Sequence, residues 1–337
     1  MPISLPNFRH TTVSGRTPFH LQYLSRGPQE FELAMPNGYA GYKYEVVSGY
    51  FAQDAIDMTS ESADVSNPAV LPRLGLLDKS PDRWTALIKK ILQLNQDDIA
   101  SGIKYKLFLL VRSGQGYHNV AEGKYGPMAW DEYWARLNGN GSIIWGPDAE
   151  LTDQGKKQAQ GLQRALREEM KAGLPVPHRH YCSPLRRAIH TCEIMFEGVV
   201  YNKLSHPVFI MENCRDQHGV YTSSKRRSGE MIARSLKPHF VVEDKLSGDD
   251  VLWHPTIRET EPEVAERALK LLDIVFQRHE PSHMTSSQID DNICISITTH
   301  AALINGFLAI LDKAPIMLPT GGIIPLLVKA TPDSVAW

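Results

Sequence analysis

The segment 109–119 joins a hydrophobic run to residues that can bind an anion, and it reads LLVRSGQGYHN. Residues 106–111 are apolar between polar flanks, which predicts a buried central strand of a parallel sheet. Gly114 and Gly116 then allow a tight turn and a close approach of the backbone to a ligand. Ligands of open α/β sheets bind at the carboxyl ends of strands, so the guanidinium of Arg112 is a candidate donor to a phosphate or carboxylate. An ordinary surface arginine after a strand is the alternative interpretation.

A second arginine lies in a similar position further along the chain. Residues 178–182 predict a strand, and Ser183 and Pro184 are typical of the N-cap and first position of a following helix. Free N–H groups at a helix start favour an anion. Arg186 and Arg187 both lie near the start of this predicted helix, and an arginine in its first turn can reach the same anion.

The remaining residues with suitable chemistry also follow predicted strands. Residues 293–299 predict a buried strand that ends at His300, in front of another helix. Residues 208–211 predict a short strand that leads into two acids, Glu212 and Asp216. A carboxyl group can donate a proton in catalysis only if it stays partly protonated, and burial near other acids raises its pKa. These residues alone leave open whether either acid has such a role, and a surface carboxylate is the alternative for each.

Together these segments resemble the signatures of the histidine phosphatase superfamily, the phosphoglycerate-mutase-like proteins, and most closely its fungal and plant phosphomutase-like branch. In that family the first strand ends in Arg-His-Gly, and an Asn follows a few residues later. Arg112, Gly114 and Asn119 match this pattern, but Ser113 stands where the family has its nucleophilic histidine. The family's second signature, Leu-Thr-x-x-Gly-x-x-Gln-Ala, matches residues 151–159 and implies a scaffold role.

The resemblance implies a role for each matched residue. It places phosphate binding on four residues that we expect to converge on one pocket: Arg112, Asn119, Arg187 and His300. The motif Ser-Pro-Leu-x-Arg-Ala assigns this role to Arg187 rather than to Arg186. The family pattern Arg-Glu-x-x-Gly-Val aligns with residues 215–220, which makes Asp216 the first choice for the proton donor. Glu212, which lies nearest the strand end, is the second choice, because an Asp in place of Glu shortens the reach by one methylene group.

The activity implied by the resemblance is that of a metal-independent phosphomonoesterase acting on a small organic phosphate, inactive or impaired because Ser113 replaces the nucleophile. The alternative is a non-hydrolytic protein that binds a phosphate or carboxylate ligand, or a diverged enzyme that uses the inherited anion pocket. Three explanations of the serine stay open: an engineered trap that retains binding, a natural replacement in a binding protein, and the mark of another reaction. Mutase activity is disfavoured because return of the phosphoryl group also requires the missing histidine.

The order of the predicted elements indicates the fold class. From the first buried strand onward, strands and helices alternate, which predicts an α/β three-layer sandwich with a mainly parallel central sheet. The resemblance implies the phosphoglycerate-mutase-like form of this architecture. Residues 1–100 are interpreted as an N-terminal extension packed on the main domain. Residues 101–337 are interpreted as the main domain, with insertions near 123–147 and 215–260.

Composition limits the classes of partner. The 337 residues carry a formal net charge of -2, and 42% of them are hydrophobic, which predicts a large core and argues against a general nucleic-acid-binding protein. No apolar run approaches the ~20 residues of a membrane span, and the first residues lack the pattern of a secretory signal. We therefore expect a cytoplasmic protein whose partner is a small-molecule phosphate ester, with no nucleic acid and no membrane.

Neither a metal nor another cofactor is expected. The four cysteines have no close paired spacing and are predicted to be reduced, buried thiols. His178 and His180 alternate on a predicted strand and could form a metal site with His190. No acidic partner is placed beside them, so local hydrogen bonding is the preferred interpretation.

Two further patterns allow two interpretations each. Trp130, Trp134 and Trp145 lie in a segment without long periodicity, where they could cover an apolar substrate or form the core of a loop. The basic run at residues 225–227 could attract an anionic substrate or could be a solvated surface.

Overall fold

The central element of the fold is a seven-stranded sheet. The structure is a computed structural model and describes residues 41–54, 69–198, 207–243, 246, 248–277 and 292–333. Its strands are, in chain order, β1 (Tyr42–Val46), β2 (Lys104–Arg112), β3 (Arg179–Cys182), β4 (Val208–Ile210), β5 (Phe240–Val242), β6 (Cys294–Thr299) and β7 (Ile323–Pro332). Across the sheet they lie in the order β1-β7-β2-β6-β3-β4-β5.

Most neighbouring strands in this sheet are parallel. The pairs β2–β6, β6–β3, β3–β4 and β4–β5 run in the same direction. Strand β7 is antiparallel to both of its neighbours, β1 and β2. The predicted α/β fold with a mainly parallel sheet is therefore confirmed.

Helices cover both faces of the sheet and complete the three layers. In the described part of the chain they are α1 (Arg83–Asp97), α2 (Tyr117–Tyr125), α3 (Pro127–Glu132), α4 (Asp153–Lys171), α5 (Arg186–Phe196), α6 (Gly229–Ser235), α7 (Glu261–Gln277) and α8 (Ala301–Ile310). Helices α1, α4 and α5 contribute to one hydrophobic core cluster, and α7 and α8 contribute to the other. Along β2, Leu107 and Leu109 belong to the first cluster, whereas Phe108 and Leu110 belong to the second. Burial of both faces explains why this strand reads as a continuous apolar run.

The described residues before position 101 pack against the same sheet. Strand β1 extends the sheet by pairing with β7. Trp84, Leu87 and Ile91 of α1 are buried in the first core cluster. Residues 1–40 of the predicted extension lie outside the described residues. None of the helices that the structure describes is long and apolar enough to cross a membrane.

One predicted helix start is wrong. Helix α5 begins at Arg186 rather than at Pro184, and Leu185 in front of it is extended, with φ -73° and ψ 134°. The hydroxyl of Ser183 accepts a hydrogen bond from the N–H of Leu185 at 3.2 Å and contacts Nε2 of His300 at 2.9 Å. Ser183 therefore shapes the turn before the helix instead of capping the helix itself.

Candidate active site

Three neighbouring parallel strands bring their carboxyl ends to one edge of the sheet. Arg112 ends β2, His300 follows β6, and Ser183 follows β3. The strand register places these ends level, because Arg112 pairs with Thr299. A cavity of about 200 Å³ lies there, and its walls include six of the predicted site residues: Arg112, Ser113, Asn119, Arg187, Asp216 and His300.

The backbone of Ser113 is fixed in the wall of this cavity. Its N–H donates to the carbonyl oxygen of Thr299 at 2.9 Å, and its own carbonyl accepts from the N–H of Gly321 at 3.0 Å. The residue is 5% exposed. Among the described residues its hydroxyl has no hydrogen-bond partner, so no imidazole or carboxylate is in place to take its proton.

The start of helix α4 holds the loop after β2. Thr152 caps this helix as predicted, since its hydroxyl accepts from the N–H of Gly155 at 3.0 Å. The same hydroxyl donates to Oε1 of Gln115 at 2.8 Å, and the N–H of Gln115 donates to Oε1 of Gln158 at 2.8 Å. A Cβ atom on Gly155 would lie 2.2 Å from the carbonyl oxygen of Gln115. The glycine is thus required by the close approach of loop and helix.

Gly155→Ala should destabilise the protein and weaken its binding of inorganic phosphate, because the added methyl group must displace Gln115 in the loop that directly follows Arg112 and Ser113. Overpacking of this kind costs about 1–3 kcal/mol. Gly161→Ala is a matched control on the same helix, since a Cβ there meets only the end of the Arg164 side chain, at 3.8 Å. This control should stabilise the protein by about 0.5–1 kcal/mol. Urea unfolding and phosphate titration measure both effects, and equal results for the two variants would contradict the assignment.

Asn119 joins the cavity to helix α2. Its side-chain oxygen accepts from the N–H of Gly116 at 3.0 Å, which caps the first turn of the helix. The side chain also lines the cavity. With its oxygen engaged in this way, the amide group has only N–H donors left for a bound anion.

Arg187, which is buried, forms an ion pair inside the cavity with Asp216, whose side chain is 24% exposed. Nη2 of Arg187 donates to Oδ2 of Asp216 at 2.8 Å, and Nη1 donates to the carbonyl oxygen of Ser223 at 2.8 Å. The arginine is 1% exposed. Burial by itself would raise the pKa of Asp216, but the positive charge of Arg187 lowers it and favours the carboxylate form.

His300 supplies an imidazole to the cavity wall. Nε2 lies 2.9 Å from the hydroxyl of Ser183, and Nδ1 lies 3.7 Å from Oδ2 of Asp216. Burial, together with the positive charge of Arg187, lowers the pKa of His300 well below its usual value, although Asp216 opposes this shift. A neutral imidazole between two arginines can donate one hydrogen bond to an anion without carrying charge itself.

The amino terminus of helix α5 does not face an open anion site. Its first N–H, on Arg186, donates to Oδ1 of Asp148 at 2.8 Å. Burial raises the pKa of Asp148 to about 6, although the hydrogen bond from Arg186 opposes the shift. The expectation that the helix start itself binds the ligand is thus wrong, because an internal carboxylate already occupies that position.

Glu212, the second choice for the proton donor, lies in a buried ion-pair cluster beside the cavity. Its carboxylate accepts from Arg215 at 2.5 Å and from Nε of Arg226 at 2.9 Å. Arg215 is also paired with Asp250 at 2.6 Å. This carboxylate does not reach the cavity wall that the structure describes. Glu212 therefore stabilises this ion-pair cluster, and its carboxylate is not placed to donate a proton into the cavity.

The basic run also has internal partners. Arg226 belongs to the Glu212 cluster, and Nη2 of Arg227 pairs with Glu150 at 2.5 Å. Nζ of Lys225 lies over the ring of Trp253, 4.6 Å from its centre. The run therefore stabilises its own loop and is not a free attracting patch.

The three histidines considered for a metal site lie in separate environments. Nδ1 of His180 contacts the hydroxyl of Ser296 at 2.8 Å, and Nδ1 of His178 accepts from the N–H of Cys294 at 3.2 Å. His190 faces Glu150 at 3.5 Å. Within the described ranges no three His, Cys, Asp or Glu side chains are grouped to hold a metal ion. The four cysteines are buried free thiols, as predicted.

Among the other residues of the cavity wall, to which the sequence assigned no separate function or left it undecided, are His118, Glu122, Trp130, Tyr221 and Arg258. The tryptophans form an aromatic cluster in which Trp130 lies 6.1 Å from Tyr221 between ring centres. The guanidinium of Arg258 stacks over the ring of Tyr221, with Cζ 3.6 Å from the ring centre. The signal that could have identified His118 and Glu122 is their spacing of four residues, which places them on one face of a helix next to Asn119.

Comparison of the sequence with known proteins gives consistent results. The family model described as the histidine phosphatase superfamily (branch 1) matches residues 126–320. This match includes Arg187, Asp216 and His300, and it begins after the segment of Arg112 and Ser113. A probable phosphoglycerate mutase of Arthroderma benhamiae is 32% identical over 300 residues, which cover 85% of this chain and 84% of that protein. Phosphomutase-like protein 3 of Candida albicans is 29% identical, with coverage of 85% and 80%.

The solved structures that match this chain are more distant in sequence. A phosphoserine phosphatase from Entamoeba histolytica, in complex with 3-phosphoglyceric acid, aligns with 65% of this chain and 89% of its own. The two proteins are 19% identical, and the TM-score is 0.36.

Proposed function

This chain belongs to the histidine phosphatase superfamily. From that premise we propose that its cavity is an active site of the metal-independent phosphomonoesterase type, in which Ser113 impairs catalysis. The substrate class is a small organic phosphate ester. The observation that supports this most is the position of Arg112, Arg187 and His300, which come from the end of β2, the first turn of α5 and the end of β6, and which line one cavity. Such a set offers charge and directed donors to a tetrahedral anion.

Binding of the phosphate group falls to four residues of the cavity. The guanidiniums of Arg112 and Arg187 keep their charge at every ordinary pH and present planar forks of donors. Asn119 and the neutral imidazole of His300 add directed N–H groups. Asp216, the proton donor predicted from the sequence, also holds Arg187 in position through the 2.8 Å hydrogen bond.

The chemical step is the part that this chain lacks. In related proteins an imidazole at the position of Ser113 attacks phosphorus and carries the phosphoryl group. A serine hydroxyl is a weak nucleophile unless a base removes its proton. Since none of the described residues hydrogen-bonds to this hydroxyl, we expect strong binding of phosphate esters with little or no turnover.

The absence of a described hydrogen-bond partner for the Ser113 hydroxyl also fits a second candidate function. A protein that binds a phosphate or carboxylate ligand without hydrolysis needs the arginines and His300, and it does not need a nucleophile. The two functions are distinguished by phosphate release from a panel of monoesters, measured on the chain as it stands and on the Ser113→His variant, with phosphate binding measured on both.

Exhaustive chelation should leave the binding of inorganic phosphate unchanged. The reason is that two guanidiniums already supply the positive charge that a metal would bring. Calorimetric titration before and after treatment with EDTA measures this. If chelation abolished binding and zinc restored it, the site at His178 and His180 would have to be reconsidered.

A further inference from the structure

The cavity has a buried side and a partly exposed side. Arg187 and His300 are 1% and 3% exposed, whereas Glu122, Tyr221 and Arg258 are partly open to solvent. A phosphate group held by the buried cations must direct its ester oxygen and its organic part toward the open side. The group that protonates the departing oxygen is therefore expected on the open side.

Asp216, whose side chain is 24% exposed, also reaches the open side, but its carboxylate is already engaged by other groups. Oδ2 accepts from Arg187 at 2.8 Å, and Oδ1 accepts from the N–H of Gln217 at 3.0 Å. Both oxygens are thus engaged by donors that favour the carboxylate form. Its side chain is also one methylene group shorter than that of a glutamate, so it cannot extend far from Arg187.

Glu122 lies in the same cavity and differs in each of these respects. Its carboxyl group has no hydrogen bond to any described residue. It follows Asn119 by three positions on α2, a spacing that places the two Cβ atoms about 5–6 Å apart on one helix face. If Asn119 contacts a phosphate oxygen, the longer Glu122 side chain can reach the next atom along the substrate.

The surroundings of Glu122 also favour its protonated form. Burial raises its pKa, and the neighbouring Asp131 on α3 raises it further, while Arg112 opposes the shift. Asp216 raises the pKa of Glu122 as well, and Arg258 lowers it. The Asp131 carboxylate is held in place by the hydroxyl of Tyr221, which donates a hydrogen bond to it.

We propose that Glu122, rather than Asp216, donates the proton to the departing alcohol, an inference that rests on the proposed function of the cavity. In the Ser113→His variant the new imidazole nitrogen forms a bond to phosphorus, and the bond from phosphorus to the ester oxygen breaks. That oxygen takes the proton of the Glu122 carboxyl group and leaves as an alcohol. Water then attacks phosphorus, the nitrogen–phosphorus bond breaks, and the water's proton returns to the Glu122 carboxylate.

The test uses the full chain with Ser113→His and compares Glu122→Gln with Asp216→Asn in that background. Proton donation contributes typically 10²–10⁴-fold, so Glu122→Gln should slow release from alkyl phosphates by about 10²-fold or more. Release from a nitrophenyl phosphate, whose leaving group needs no proton, should change much less. Asp216→Asn should slow both kinds of ester by similar factors, because it disturbs Arg187.

The pH profile gives a readout that a structural role would not produce. Activity on alkyl phosphates should fall as pH rises through the pKa of Glu122, since only the acid form donates. Asp131→Asn removes a charge that raises this pKa, so the fall should move to lower pH. The fall should be absent in the Glu122→Gln variant. Glu132→Gln, which removes an exposed acid from α3, is the control and should leave rate and profile unchanged.

The outcomes separate the two proposals. If Ser113→His is active but Asp216→Asn, not Glu122→Gln, selectively slows the alkyl phosphates, Asp216 is the donor and the inference about Glu122 is wrong while the proposed function stands. If Ser113→His binds phosphate but releases none from any ester, the proposed function fails and the inference falls with it. Phosphate titration of each variant verifies that the cavity has folded.

Discussion

The Ser113→His variant should release phosphate from monoesters that the chain as it stands hydrolyses slowly or not at all. Deleting the nucleophile of a covalent enzyme costs about 10⁶-fold in turnover, or about 8 kcal/mol of barrier, so restoring it should give a large and easily measured gain. The backbone hydrogen bonds of Ser113 to Thr299 and Gly321 hold the position where the imidazole would stand. The cavity of about 200 Å³ has room for the added ring.

A phosphorylated intermediate should accompany this gain. Rapid acid-free quenching and mass spectrometry should find an acid-labile phosphoryl group on the residue introduced at position 113. Ser113→Gln is the matched control, because it adds a polar side chain of similar size without a nucleophilic nitrogen. Equal phosphate release by the two variants, or none by Ser113→His despite phosphate binding, would leave the binding or diverged-enzyme function as the better account.

The strand ends of the site were predictable because local sequence determines them. Strand β2 is buried on both faces and appears as a short apolar run that stops at a polar residue, while β6, with isoleucines between Ser and Thr, is buried along its whole length and ends just before His300. Arg112 and His300 are those polar residues, and the parallel order of the strands brings them together. The N-cap at Thr152 was predictable for the same reason, since its partner, Gly155, is three residues away.

Features that depend on distant partners were not predictable. The start of α5 was misplaced because the hydroxyl of Ser183 is engaged by His300, which is 117 residues away in the sequence. Glu212 looked available for chemistry because its two arginines, Arg215 and Arg226, read as ordinary polar residues of a loop. Propensity and spacing describe neighbours along the chain, whereas these contacts are decided by packing.

Glu122 combines the two situations. Its spacing from Asn119 can be read directly from the sequence, but the helix α2 that places both residues on one face was not predicted. What makes it distinctive is Asp131, whose carboxylate is fixed by Tyr221 from 90 residues further along the chain. The sequence contained the residue, but only the folded chain shows that its neighbours favour the acid form.

Removing Arg187 should produce the second large effect, a loss of affinity for inorganic phosphate. A hydrogen bond to a charged group contributes about 1.5–3 kcal/mol, so Arg187→Ala should raise the Kd by at least about 10- to 150-fold. The same change leaves the carboxylate of Asp216, whose side chain is 24% exposed, without its nearest cation, which lowers stability by less than the roughly 3–5 kcal/mol of a fully buried pair. The variant Arg187→Ala combined with Asp216→Asn avoids this uncompensated charge and keeps the measurement interpretable.

Arg186→Ala is the matched control for this experiment, since it removes the same side chain one position earlier. Its guanidinium contacts the hydroxyl of Ser235 at 3.2 Å and lies 3.8 Å from Glu150, away from the cavity wall. We expect phosphate affinity to be nearly unchanged in this variant. Arg187→Lys keeps the charge but loses the planar fork, so it should fall between the two. Calorimetric titration with phosphate and with vanadate measures the four variants and the unchanged chain. Equal affinities for the Arg186 and Arg187 variants would mean that the anion binds elsewhere.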